Sequence, residues 1–171
     1  CYSLFRWWKV IILGIDPGYG LVGFGIIEKT GGDIKVLDFG CISTPKEKKL
    51  SERLEIISQC MHILIEKWKP EVMAIEKLFF NKNITTGIPV AQARGVIILA
   101  AQEKNIPIYQ YTPQNIKMAL TGMGNADKKQ MQFMVKTVLG LKEAPKPDDA
   151  ADALAVAICH SQTNLQMMGS I

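Results

Sequence analysis

Hydrophobic residues first come in short continuous or alternating runs, and only after residue 49 at helical spacing. Val10 to Ile15 is a fully apolar run stopped by Asp16-Pro17-Gly18, the pattern of a buried strand ending in a turn. Leu21 to Glu28 is a second β run, carrying Gly23 and Gly25. Ile34 to Ile42 alternates apolar and polar positions as a third strand, with Gly31-Gly32-Asp33 as the hairpin turn before it. From Lys49 to Trp68 the period changes: Leu50, Leu54, Ile57, Met61, Leu64 and Ile65 mark one helix face, and Pro70 ends it. Val72 to Ile75 is a short strand ending at Glu76. Asn83 to Lys104 is a helix, nearly apolar all round after Val90, which suits a core or an interface. Ile106 to Tyr111 is a fifth strand, Pro113 to Leu120 a short helix, and Thr121 to Asn125 a loop. Asp127 to Leu139 is helical, and Pro147 opens a last helix from Asp148 to about His160.

The order β β β α β α β α α α predicts an α/β fold. Its sheet is mixed and five-stranded, three antiparallel strands then parallel ones, with helices on both faces. That order resembles a ribonuclease H-like domain. Actin-type ATPases and sugar kinases use it twice, and 171 residues are too few for two copies. The expected division is an extra segment at 1–9, one nuclease-like domain at 10–161, and a tail at 162–171. The opening nine residues lack the apolar stretch and cleavage site of a secretory signal. A non-native origin and a functional arm stay open for them.

Composition adds little until the acids are placed. Twenty Lys and Arg stand against 16 Asp and Glu, a net charge of +4, which alone leaves a polyanionic partner open. No apolar run reaches the roughly 18 residues of a membrane span. The four cysteines have no CxxC pair, so neither zinc nor a disulfide scaffold is expected. They read as small buried hydrophobes in a reducing cytoplasm.

The acids change the picture. Asp16 ends the first strand and Glu76 the fourth, and sites in open sheets form beyond the carboxyl ends of strands. Turn and strand-end roles remain open for each alone. In the last helix Asp148 suits an N-cap and Asp149 the positive helix end. Asp152 resists such accounts, because it lies inside an Ala-rich run and a buried carboxylate needs a cation or donors. Asp149 and Asp152, three apart, share one helix face. Four converging carboxylates without a His or Cys cluster suit a hard cation such as Mg²⁺ or Mn²⁺, and such sites perform phosphoryl transfer. With those four acids on metal, 20 cations face 12 anions elsewhere, which favours a phosphate backbone as partner.

Five segments, in order, carry a closer resemblance: Gly14-Ile-Asp-Pro-Gly18, Ala74-Ile-Glu-Lys-Leu-Phe-Phe-Asn-Lys-Asn83, Ala91-Gln-Ala-Arg-Gly95, Thr121-Gly-Met-Gly124 and Asp148-Asp-Ala-Ala-Asp-Ala-Leu-Ala155. From about Val10 to His160 the chain resembles the RuvC Holliday junction resolvases, the bacterial crossover junction endodeoxyribonucleases. The resemblance implies a cytoplasmic, nucleoid-associated homodimer that nicks four-way junction DNA symmetrically in recombination and repair, with one or two Mg²⁺ or Mn²⁺ per site and a branch-migration helicase complex as partner. It places the catalytic, metal-binding acids on Asp16, Glu76, Asp149 and Asp152, with Asp148 a neighbouring register. It places DNA contacts on Phe79, the junction-wedging aromatic, and on Lys82, Asn83, Arg94, Lys117 and Lys128. The apolar helix, with Val96, Ile97 and Leu99, is expected to supply part of the dimer interface or to pack in the core. A nuclease for other branched DNA or RNA, an inactive junction-binding scaffold and an ATPase-like half are the competing readings.

Overall fold

The computed structural model describes residues 8–78 and 84–163, and five strands and five helices follow in the expected order. They are β1 (Lys9–Asp16), β2 (Leu21–Thr30), β3 (Asp33–Ser43), α1 (Leu50–Trp68), β4 (Val72–Glu76), α2 (Ile84–Gln102), β5 (Ile108–Tyr111), α3 (Pro113–Thr121), α4 (Lys128–Val138) and α5 (Asp148–Gln162). The sheet order is β3-β2-β1-β4-β5. β1, β2 and β3 form an antiparallel meander, while β4 runs parallel to both β1 and β5. The hairpin between β2 and β3 turns at Gly31, whose φ of 59° lies in the left-handed region.

Two cores sandwich the sheet. On one face, Leu13, Ile15, Met73 and Ile75 pack with Ile57, Met61, Ala93 and Ile97 of α1 and α2. On the other, Ile12, Ile27 and Ala74 meet α5 through Leu154, Val156 and Ile158, with α3 and α4 beyond. Adjacent β1 residues alternate between the two cores, as the two-residue period of a strand requires.

How close α5 lies to the sheet decides where its acids stand. Gly14, Gly23 and Gly25 face it from β1 and β2. A Cβ on Gly25 would lie 2.7 Å from a methyl carbon of Leu154, and one on Gly14 or Gly23 would run into the carbonyls of Ala153 or Asp149. Three missing side chains therefore seat the N-terminal half of α5 against the central strands, bringing Asp149 and Asp152 toward the ends of β1 and β4.

Several expectations change in detail. α2 is not apolar all round in its exposure: Ala93, Ile97, Ala100 and Ala101 are buried, whereas Ile88 and Leu99 are 52% and 56% exposed. Ile97 thus belongs to the chain's own core, the second of the two expectations for this helix; Leu99 faces outward and Val96 is half-buried. Asp148 is not the N-cap of the last helix, because the extended residue before the first turn is Pro147. β5 starts at Ile108, two residues later than expected, and the Ile106 amide still donates back to the Ala101 carbonyl of α2. Of the cysteines in the described residues only Cys159 is buried; Cys41 and Cys60 are half-buried, and all three are free thiols.

Candidate active site

Asp16 and Glu76 are the last residues of two neighbouring parallel strands, paired one residue earlier through Ile15 and Ile75. The pairing puts the two carboxyls side by side, and a hydrogen bond joins them. That contact raises the pKa of Asp16 and lowers that of Glu76. Burial is the main reason that Asp16 is pushed up from 3.8 to about 8; the negative charges of Glu76, Asp152 and Asp149 add to it. Burial also raises Glu76, as does Asp152, against a lowering contribution from Lys117. Asp152 rises through burial, opposed by Lys128 and helped by Asp149 and Asp148.

The neighbouring register sorts itself by charge partner. Asp148 is engaged by α4: its Oδ2 lies 2.6 Å from Lys128 Nζ, its Oδ1 accepts from Gln132 Nε2 at 2.8 Å, and the Lys128 bond holds its pKa down. Asp149, one residue on, is among the charges that act on Asp16 and on the half-buried Cys41 of β3, whose thiol is pushed up to about 11, mainly by burial. Cys41 pairs with Gly23, the glycine that lies against Asp149, so it borders the acids. The sequence presents it only as a small apolar position of the third strand.

Cations frame the cluster. Lys117 on α3 acts on Glu76, and Lys128 at the start of α4 acts on Asp152 and Asp149. Arg94 is half-buried: Nε donates to the Glu76 carbonyl at 3.5 Å and Nη2 to Gln110 Oε1, which ties α2 to the ends of β4 and β5. Phe79, Lys82 and Asn83 lie outside the described residues.

A second group missed by the sequence reading braces the turn after Asp16. Arg53 on α1 is only 9% exposed, and its guanidinium carbon lies 4.4 Å from the centre of the Tyr19 ring. Its Nε donates to Thr44 Oγ1 at 2.9 Å, and that hydroxyl donates to the Tyr19 carbonyl at 2.6 Å. The Thr44 amide closes on the Gly20 carbonyl at 3.0 Å. A helix, a strand end and a turn are thereby locked immediately after the Asp16 carboxylate. Nothing in the sequence around Arg53 signals this, because an arginine in an amphipathic helix pattern reads as solvated.

The donor set is all oxygen apart from the bordering Cys41 thiol, and its charges repel one another in a partly dry cleft. A divalent cation relieves that repulsion, so the chemistry of the donors fits a hard metal ion. As the side chains are oriented, no three Asp, Glu, His or Cys groups among the described residues are gathered closely enough to hold an ion.

Acids at the ends of β1 and β4 and on a helix laid over a 3-2-1-4-5 sheet define a ribonuclease H-like domain of the nuclease type. Residues 12–160 match the family model for the crossover junction endodeoxyribonuclease RuvC. The chain belongs to the RuvC family. It is 51% identical over 154 residues to the crossover junction endodeoxyribonuclease RuvC of Halothermothrix orenii, covering 90% of this chain and 93% of that protein. Its counterpart from Brevibacillus brevis is 52% identical over 151 residues, 88% and 91% of the two chains. The structure of Thermus thermophilus RuvC in complex with a Holliday junction substrate superposes with a TM-score of 0.85 at 34% identity, over 90% of this chain and 93% of that one.

Proposed function

We infer that the chain is a structure-selective endonuclease that resolves Holliday junctions in DNA recombination and repair. The observation that carries this is the acid cluster on the strand ends and on α5, flanked by Lys117 and Lys128, in a chain of the RuvC family. Nucleases of this family are metal-dependent. Here Asp16, Glu76, Asp149 and Asp152 would hold one or two Mg²⁺, with Mn²⁺ as substitute. Bound there, such an ion would supply an activated water and offset the charge that develops on the phosphate.

The chain's own groups do the rest. Lys117 and Lys128 would hold phosphates at the rim of the cleft, Lys82, Asn83 and Arg94 would add DNA contacts, and Phe79 would help to open the junction. Arg94 contributes by holding the end of β4 that carries Glu76. Water attacks the scissile phosphorus and the bond to the 3′ oxygen breaks, leaving 5′-phosphate and 3′-hydroxyl ends. The proton lost by the water must pass to a base. Solvent can take it, because the four carboxylates would be engaged with the ion.

Two equivalent strands must be cut for a clean resolution, which calls for two sites related by a two-fold axis. Ile63 on α1 and Ile88 and Leu99 on α2 are 63%, 52% and 56% exposed, an outward apolar set on the α1–α2 layer that suits a homodimer interface. No helix among the described residues is long and apolar enough to cross a membrane. A cytoplasmic, nucleoid-associated enzyme that works with a branch-migration helicase complex is the setting that fits this role.

Incubating the protein with a synthetic mobile four-way junction and Mg²⁺, then resolving the strands on a denaturing gel, tests the reading. Paired, ligatable nicks at symmetric positions are expected. Binding without cutting in Mg²⁺ and in Mn²⁺ would identify a scaffold instead, and faster cutting of an RNA–DNA hybrid or flap would assign another substrate.

A further inference from the structure

The site so far accounts for the start of α4 but not for its middle. Phe133 is 64% exposed, while its neighbours Met131 and Val135 are buried in the core, so the ring stands on the outer face. It borders an open groove of about 340 Å³ formed with Thr121, Met123, Lys129, Gln130 and Met134. Lys129 lies one turn before Phe133 and Lys136 one turn after, so an amine flanks the ring on either side along the same helix. α3 and α4 together carry Lys117, Lys128, Lys129 and Lys136 and no Asp or Glu, in a chain with 16 acids. The stretch begins at the active site, because Lys128 interacts with Asp152 and Asp149.

We propose that this groove is a second stacking platform: Phe133 receives an unpaired nucleobase of the DNA strand passing the active site, and Lys129 and Lys136 take the phosphates on either side of it. An aromatic ring stacks on any base without reading sequence, and amines track the backbone. The positive surroundings select a polyanion. A base paired inside a duplex is already stacked and offers no face to a protein ring, whereas bases at a strand crossing do. The occupant is therefore an unpaired nucleotide next to the crossover, not a duplex arm. This inference rests on the assignment of branched DNA as substrate.

Fluorescence anisotropy in EDTA, with a four-way junction, a single-stranded oligothymidylate and a plain duplex as probes, tests it. Phe133→Ala should weaken binding of the junction and of the single strand by roughly tenfold and leave the duplex within about twofold. Phe133→Trp should restore wild-type affinity, and Phe133→Leu, which keeps apolar volume without a ring face, should not. Leu also answers the question if the alanine variant melts early. Lys129→Ala and Lys136→Ala should each flatten the salt dependence of single-strand binding by about one unit of slope. Unchanged single-strand affinity in Phe133→Ala overturns the proposal, and so does an equal loss on the duplex. If the wild type itself neither binds nor cuts the junction, the functional reading has failed instead; a wild type that does both, beside an unaffected Phe133→Ala, refutes the platform alone.

Discussion

Replacing Asp16 by Asn should make the metal-free protein more stable, and increasingly so as pH rises. Folding raises the Asp16 pKa from 3.8 to about 8, chiefly by burial and then by the charges of Glu76, Asp152 and Asp149. Between those values the folded chain holds a proton that the unfolded chain has released. Stability must therefore fall as pH climbs through this window, by up to about 1.4 kcal/mol per pH unit from this one group. An asparagine side chain is neutral at every pH and its amide can still donate to Glu76, so the variant escapes the penalty and keeps the contact. From pH 5.5 to 7.5 its advantage over wild type should grow by about 2 kcal/mol once neighbouring acids take part of the load. For a chain of this length that is a widening in Tm of roughly 4–8 °C. Thermal melts in EDTA at both pH values measure it. The same variant should bind junction DNA and fail to cut it. A Tm gap of the same size at pH 5.5 and 7.5, or an Asp16→Asn protein less stable at both, would refute the reading of Asp16 as a buried acid crowded by like charges.

Asp149→Asn should abolish cutting while Asp148→Asn cuts nearly normally, because Asp148 is bound to Lys128 and Gln132 whereas Asp149 acts on Asp16; the reverse outcome on a denaturing gel would move the site by one residue. Lys117→Ala and Lys128→Ala should each lower the slope of log affinity against log salt by about one in a junction-binding titration, and an unchanged slope would return them to ordinary surface. Arg53→Met should leave junction affinity unchanged but slow cutting by roughly tenfold, with Arg53→Lys in between, since the guanidinium braces the Asp16 turn without standing among the carboxylates (single-turnover rates against Kd decide). Equal rates in all three proteins would make the brace purely structural.

What the sequence made legible, and what it hid, follows from the range of each interaction. Asp16 and Glu76 could be read because each closes an apolar run of its own, and parallel pairing of those runs necessarily puts their carboxyl ends together. Asp149 and Asp152 could be read because three residues along a helix define a face, whatever the helix packs on. The distance between these two pairs was not legible. It depends on Gly14, Gly23 and Gly25, which in sequence look like weak points in two strands and in space leave no side chain where α5 approaches them. The split between Asp148 and Asp149 was equally hidden, because Lys128 and Gln132 come from a different helix some sixteen to twenty residues earlier. So was the Arg53 brace: an arginine inside an amphipathic pattern reads as solvated, and only the approach of Tyr19 and Thr44 from the sheet edge turns it into a buried clamp. α2 shows the converse failure. Its composition is apolar enough to suggest burial on all sides, but a helix on the outside of a two-layer core has only one face to bury, which leaves Ile88 and Leu99 outward and makes exposure there informative. Chemistry that rides on a single element is thus visible in one dimension, while chemistry set by how closely two elements approach is carried by residues, here glycines and an arginine, whose types say nothing until the fold gives them neighbours.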